Sequence, residues 1–558
     1  MAKSLEGEGL WFMSNIQNNL KRFLGEEKRE TWRFVLVLSV CSGLANGALL
    51  GIMNGGCAAA AQSAAKLQYF ILFILAMIIF CYAKQVSMRY SIQAIEKMLH
   101  QLRLRVIEKM RWSELRGIES FTKGDVYTKV SQDTVTISQS AFFLVNILQQ
   151  ALMVLCCLLY IAWLSPWAFL VTVVSVALAL SIYWSHRQNM AQDMADMSLK
   201  ESELVDAVSN IIEGYKEIRV NKKKNDAVFG RYSGIAAESR DLKIHSNETF
   251  IVEIMFSQVF FYLLIAAVVF VLPQLVPTYS VVVIKTTAAI LFVVGPLDTI
   301  ATTAPLVARA DSALKNIYSL EDRIDALPGK EGGTYEAPSI YEGFSSISAK
   351  GLNFIYRDTK NNPLFSVGPV DLDIKRGETV FFVGGNGCGK TTLMKLMTGL
   401  YRPESGSLMV DGVCVDPSAC QDYRELFSVI FSDFHLFDRL YGLEDIALDK
   451  VNAYLKNMEI ADKTWYDGEK FSRLDLSTGQ RKRLALISAL LEDRPILMFD
   501  EWAADQDPHF RHHFYEELLP GLKAKGKTIL AVSHDDRFWH VADRVIKMEY
   551  GKFVEYKA

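Results

Sequence analysis

From Thr134 to His186 the chain carries no Lys, Arg, Asp or Glu. An uncharged run of that length cannot form the surface of a fold that sits in water. A bilayer core takes roughly 20 apolar residues per helix, so the run is long enough for two crossings. Ser165-Pro166 divides it, because proline withholds a backbone donor and starts a helix better than it continues one. The run therefore predicts a membrane hairpin, with spans over 137–164 and 166–186. A second uncharged run, Ile254 to Ile284, is interrupted by Pro273 and Pro277 and predicts spans over 249–273 and 280–305. Two earlier apolar stretches, 32–54 and 67–90, bring the expectation to six. Composition agrees: half of the residues are hydrophobic, and a formal net charge of −3 leaves no basic surface for nucleic acid.

Charge in the connections sets the orientation. The links between spans 1 and 2, 3 and 4, and 5 and 6 are short and nearly uncharged, with Lys66 at one edge. The 2–3 and 4–5 connections are long and basic, with Arg103, Arg105, Lys109, Arg111 and Arg116 in one and Lys216, Arg219, Lys222, Lys223 and Lys224 in the other. Positive charge stays on the cytoplasmic side, which puts both long connections and both termini there. The first residues, MAKSLEGEGLWF, lack the basic and apolar order of a cleaved signal peptide. The eight cysteines have no CxxC pairing and suit reduced thiols. Helical periodicity continues into the long connections, so the spans should extend into the cytoplasm and end in short transverse helices, near Ser113–Gly124 and Gly214–Lys224. Glu253, Lys285 and Asp298 lie within or near the spans, as do Asn146, Gln149 and Gln150. Ionisable groups at that depth either line a watery cavity or snorkel to an interface, and the sequence leaves both open.

After Asp325 the chain becomes ALPGKEGGTYEAPS, a composition that marks a boundary. The expected division is a transmembrane domain over 1–325, a linker over 326–345 and an α/β nucleotide-binding domain over 346–558. Within the last, the strand-like TVFFV is followed by GGNGCGKTT, which fits G-x-x-x-x-G-K-[ST]. The nucleotide contacts predicted there are Gly384, Gly385, Asn386, Gly387, Cys388, Gly389, Lys390, Thr391 and Thr392. Glycines let backbone N–H groups close around phosphate oxygens at a helix N-terminus. Lys390 suits the β/γ-phosphates, and the Thr391 hydroxyl suits Mg2+. Downstream, PILMFDE ends an apolar strand in two carboxylates: Asp500 for the Mg2+ shell and Glu501 to polarise the attacking water.

The order of these motifs resembles the ATP-binding cassette family. LSTGQRKR resembles the family's LSGGQ signature, with Thr478 at the first glycine; the resemblance implies that Ser477 and the backbone at Gly479 touch the γ-phosphate, and that Gln480 belongs to the nucleotide site. It also implies a switch histidine at His534 in VSHDD, a D-loop aspartate at Asp507 and an adenine-stacking ring at Tyr356. FTKGDVYTKVSQDT resembles the first transverse element of the family's exporters. One position departs: in FSVIFSDFHLF, Ser432 stands where the family keeps a glutamine that reaches Mg2+ and senses the transmembrane domain.

Across the whole nucleotide-binding domain the sequence resembles bacterial cyclic-peptide and siderophore exporters, the group containing syringomycin, pyoverdine and microcin transporters. That resemblance implies an ATP-driven exporter of a peptide, lipopeptide or siderophore precursor in the bacterial inner membrane. It further implies a homodimer, since a signature motif must face a phosphate loop it cannot reach within its own chain. The alternative is a lipid or hydrophobic-drug flippase of the same architecture. A non-transporting, ATP-gated regulator is the third reading, and intact Glu501 and His534 speak against it.

Overall fold

The computed structural model describes residues 19–554, apart from 62–66, 122, 276–282, 328–340, 342, 359 and 417–419. The chain forms two compact units. One comprises Met1–Ile107 and Lys123–Arg323, the other Glu108–Thr122 and Ile324–Ala558. Most of the expected linker at 326–345 lies outside the described residues.

The first unit is helical. Its long elements are α1 (Arg29–Ala61), α2 (Leu67–Arg111), α4 (Asp133–Leu164), α5 (Pro166–Glu213), α7 (Lys222–Ala266) and α8 (Val283–Asp325), one for each expected span. Short helices α3 (Leu115–Glu119) and α6 (Tyr215–Val220) stand where the transverse elements were expected. At 1.5 Å per residue, the 45 residues of α2 and 48 of α5 reach about 70 Å, more than twice a hydrocarbon core of about 30 Å. Among the described residues, Arg29–Cys57, Leu67–Arg111 and Asn146–Leu164 are long and apolar enough to cross a membrane; Pro166–Leu178 and Gln258–Val271 are shorter apolar stretches. Ser165 starts α5 by accepting a hydrogen bond from Ala168 N, with Pro166 in the first turn. Helix α7 passes through a π turn, Ala267–Val271, just before Pro273. The side chain of Glu253 lies outside the described residues; Lys285 and Asp298 are half-buried, and the Lys285 carbonyl accepts from Asn54.

Small residues set a close helix contact. A β-carbon at Gly43 would stand 3.0 Å from Leu152 Cβ, and one at Gly47 2.9 Å from Cys156 Cβ. This G-x-x-x-G spacing lets α1 lie directly on α4, the usual device where helices meet in lipid. Beside that seam, Leu50, Met153, Cys157, Ile161, Leu264, Ala289 and Val293 form a buried cluster that joins α1, α4, α7 and α8.

The second unit has two sheets. Strands β1 (Ser346–Arg357), β2 (Pro363–Lys375), β4 (Ser405–Val410) and β5 (Val413–Cys414) form an antiparallel sheet in the order β2-β1-β4-β5. The other runs β10-β9-β3-β8-β7-β6. It is built from β3 (Thr379–Val383), β6 (Phe427–Ile430), β7 (Ile496–Asp500), β8 (Thr528–Val532), β9 (Arg544–Glu549) and β10 (Lys552–Val554), parallel except at β9/β10. TVFFV, ILMFD and TILAV are buried along their whole length. Parallel strands covered on both faces need such unbroken apolar runs. The loops after β3, β7 and β8 leave the same end of the sheet, where open α/β folds place their ligands.

Candidate active site

The loop after β3 turns into α9 (Lys390–Met397) through glycines in conformations that L-residues avoid. Gly384, Gly387 and Gly389 have φ of 150°, 75° and 105°. A β-carbon at Gly384 would come within 2.3 Å of the Met548 carbonyl, and one at Gly389 within 2.8 Å of Val367. The cradle is therefore sterically restricted to glycine at both ends. Lys390, only 5% exposed, folds back along it and donates to the carbonyls of Gly384 and Gly385 at 3.1 and 3.0 Å. Its ammonium is 3.9 Å from Glu501.

Glu501 follows the end of β7 with φ 52°, a left-handed conformation that costs a non-glycine residue about 1–2 kcal/mol. Buried Lys482 holds the turn, donating to the Glu501 carbonyl at 2.9 Å and pairing with Asp505 at 2.7 Å. Trp502 donates its indole N–H to the Lys482 carbonyl. Thus held, Glu501 Oε1 meets His534 Nε2 at 2.9 Å. The Thr391 hydroxyl donates to Asp500 Oδ2 at 2.8 Å, while buried Asp500 Oδ1 has no hydrogen-bond partner. Burial pushes the Asp500 carboxyl above its usual range, opposed by the Thr391 hydroxyl and by the N–H and hydroxyl of nearby Ser432. An orphaned carboxylate oxygen beside a hydroxyl is a donor set that fits a hard divalent cation such as Mg2+. Tyr356 bonds Thr392 through its hydroxyl at 3.2 Å and lies edge-on to Tyr401.

The signature residues form a second group. Ser477 caps α10 (Thr478–Leu491) in a reciprocal capping box with Gln480. The Gly479 carbonyl accepts from Gln506 at 3.1 Å, and a β-carbon at Gly479 would stand 2.8 Å from the Asp505 carbonyl. Asp507 caps α11 (Pro508–His513) through Phe510 N and pairs with Arg483 at 2.6 Å. Hydrogen bonding to the Phe510 N–H and the charge of Arg483 hold its carboxyl below the usual range. Lys482 links this group to the Glu501 turn. Neither Lys482 nor Arg483 was singled out in the sequence, where QRKR resembles an ordinary solvated helix face.

A third group was also missed. Helix α3 belongs to the same compact unit as the sheets. Its Glu119 pairs with Lys395 of α9 at 2.8 Å and accepts from the Tyr401 hydroxyl. Arg116 lies over the Phe354 ring at 4.9 Å. Tyr401 stacks on Phe354, so α3 grips the strand that carries Tyr356 and the helix that carries Lys390.

Residues 32–295 match the family described as ABC transporter transmembrane region, and residues 367–504 match ABC transporter. The chain is 31% identical over 539 residues to the ATP-binding protein SyrD of Pseudomonas syringae pv. syringae, covering 93% of each. It is 30% identical over 299 residues to an ATP-dependent lipid A-core flippase of Vibrio vulnificus, spanning 50% of this chain and 48% of that protein. A bacterial Atm1-family ABC exporter with ATP bound has the same fold, with a TM-score of 0.76 over 95% of both chains at 18% identity. Carrying both regions, and matched along nearly its whole length by SyrD, the chain belongs to the ABC transporters: a membrane protein whose α/β domain binds ATP and whose ATPase activity is coupled to transport.

Proposed function

We propose that the protein exports a peptide or peptide-like natural product (a cyclic peptide, lipopeptide or siderophore precursor) across the bacterial inner membrane as a homodimer with cytoplasmic termini. The observation that carries this reading is the extent of likeness. SyrD matches along 93% of the chain, transmembrane half included, whereas the lipid A-core flippase matches over 50%. The flippase similarity supports a second reading, lipid or hydrophobic-drug translocation by the same architecture.

In this reading the Gly384–Thr392 loop and Lys390 bind the phosphates of ATP, and Tyr356 supports the adenine. Thr391 and Asp500 hold Mg2+, which when bound neutralises charge on the β- and γ-phosphate oxygens. Glu501 orients the attacking water and takes its proton, and His534 fixes the Glu501 carboxylate through the 2.9 Å contact. Ser477, Gly479 and Gln480 of one copy close on the γ-phosphate held by the other, with Asp507 beside them.

Glu501→Gln should retain ATP binding and lose nearly all hydrolysis, since the phosphate contacts remain while the proton acceptor is gone. Wild-type turnover in this variant would refute the role of Glu501. For the cargo, inverted membrane vesicles should accumulate a labelled cyclic peptide in an ATP-dependent manner that Glu501→Gln abolishes. ATP-dependent flipping of a labelled lipid with no peptide uptake would favour the second reading.

A further inference from the structure

Glu501 needs outside support to stand where it does. It opens the short 3-10 turn Trp502–Asp505 in the left-handed region, with φ 52°. From that backbone its carboxylate meets His534 at 2.9 Å and lies 3.9 Å from Lys390. Relaxing φ to the ordinary negative range would swing the Cα–Cβ bond by roughly a third of a circle about N–Cα. The carboxylate would then leave both partners.

The brace against that relaxation comes from another helix. Lys482 of α10 is 4% exposed, and an ammonium so deeply buried is tolerated only where charge and hydrogen bonds compensate it. Both of its partners lie in the glutamate's turn: the Glu501 carbonyl at 2.9 Å and the Asp505 carboxylate at 2.7 Å. Trp502, buried and stacked on Phe514, fixes the lysine in return by donating to the Lys482 carbonyl at 2.9 Å. Lys482 nonetheless sits in the signature helix, three residues after Gly479, whose carbonyl accepts from Gln506.

We propose that Lys482 is a positioning residue for hydrolysis that acts on the Glu501 of its own chain and not through the signature motif beside it. The two roles belong to different ATP molecules. In the shared-site arrangement proposed above, on which this assignment rests, the signature of one copy closes on the ATP held by the other. Glu501 serves the ATP bound by its own phosphate loop. Lys482 therefore serves the site opposite to the one its neighbours Ser477 and Gly479 complete.

The first test measures ATPase of the full-length protein in lipid nanodiscs. Lys482→Met keeps the length of the side chain and removes both its charge and its donors. It should lower kcat by about 10–100-fold, the scale set by a misplaced reacting group. KM for ATP and binding of a fluorescent ATP analogue should stay within about twofold, because the phosphate contacts remain. Thermal unfolding checks the fold. Should Lys482→Met fail to assemble, Trp502→Phe keeps the stacked ring, removes the donor to the Lys482 carbonyl and should give a milder loss of the same kind. A kcat near wild type, or a loss residing in KM, would overturn the proposal. The second test separates the two sites. A mixed dimer of a Lys390→Ala copy and a Ser477→Arg copy retains one site, made by Glu501 of the Ser477→Arg copy and the signature of the Lys390→Ala copy. Lys482→Met should cost about tenfold more kcat when placed in the Ser477→Arg copy than in the Lys390→Ala copy. An equal loss, or a larger one in the Lys390→Ala copy, would return Lys482 to the signature. If the parent mixed dimer is itself inactive, the shared-site reading falls, and the split between kcat and KM in the first test still judges Lys482.

Discussion

Ser432 stands where the family resemblance implies a glutamine, and its position shows why a serine is tolerable there. It lies beside Asp500, helping to hold a carboxylate that burial disfavours, while Asp500 Oδ1 stays open. Mg2+ readily keeps several waters in its shell. A water-mediated contact costs about 0–2 kcal/mol of immobilisation entropy. Ser432→Ala should therefore slow hydrolysis by about tenfold or less, since 1.4 kcal/mol is a factor of ten. A Mg2+ titration of ATPase beside Glu501→Gln would decide the matter. A variant as inactive as Glu501→Gln would mean that the serine itself handles the water. The residue types at this site were legible because each chemistry needs its own: glycine where φ is positive, lysine for phosphate, paired carboxylates after a strand. Lys482 was not legible. Its importance lies in reaching the Glu501 carbonyl from another helix, and no local pattern encodes that.

At the scale of elements, α3 carries a role that its sequence only hints at. Five helical residues cannot persist alone, because the first turn of a helix costs more than its few bonds return. Glu119 and Arg116 anchor it to Lys395, Tyr401 and the Phe354 ring. With no glutamine at 432, this grip offers a route between the helix that ends at Arg111 and the nucleotide loop. Glu119→Ala should leave basal ATPase near wild type and reduce cargo stimulation by an amount equivalent to about 0.5–2 kcal/mol, the range seen for coupling positions. The ratio of stimulated to basal ATPase in nanodiscs measures this; an unchanged ratio would remove Glu119 from the route. The G-x-x-x-G pair of α1 works differently. Its spacing is plain in the sequence, but its partner is not: that Gly43 faces Leu152 and Gly47 faces Cys156 follows from how α1 and α4 pack.

For the whole molecule the central expectation is that each ATP site is shared between two copies. Lys390→Ala disables a phosphate loop, and Ser477→Arg disables a signature. Each homodimer should be inactive, yet a mixed dimer leaves one intact loop facing one intact signature. Co-expression with two affinity tags should therefore restore ATPase activity well above either parent. No rescue would mean that each chain completes its own site. The uncharged runs by themselves determined that helices cross a membrane, because a bilayer core tolerates few charges and demands internally paired backbone. The order of motifs likewise determined the ATPase chemistry, since phosphate, Mg2+ and water each require particular groups at fixed local spacing. Only the tertiary structure decided which distant residues meet: Lys482 with the Glu501 turn, Glu119 with Lys395, and Gly43 with Leu152. Such contacts join residues tens to hundreds of positions apart, and packing of whole helices and sheets places them there.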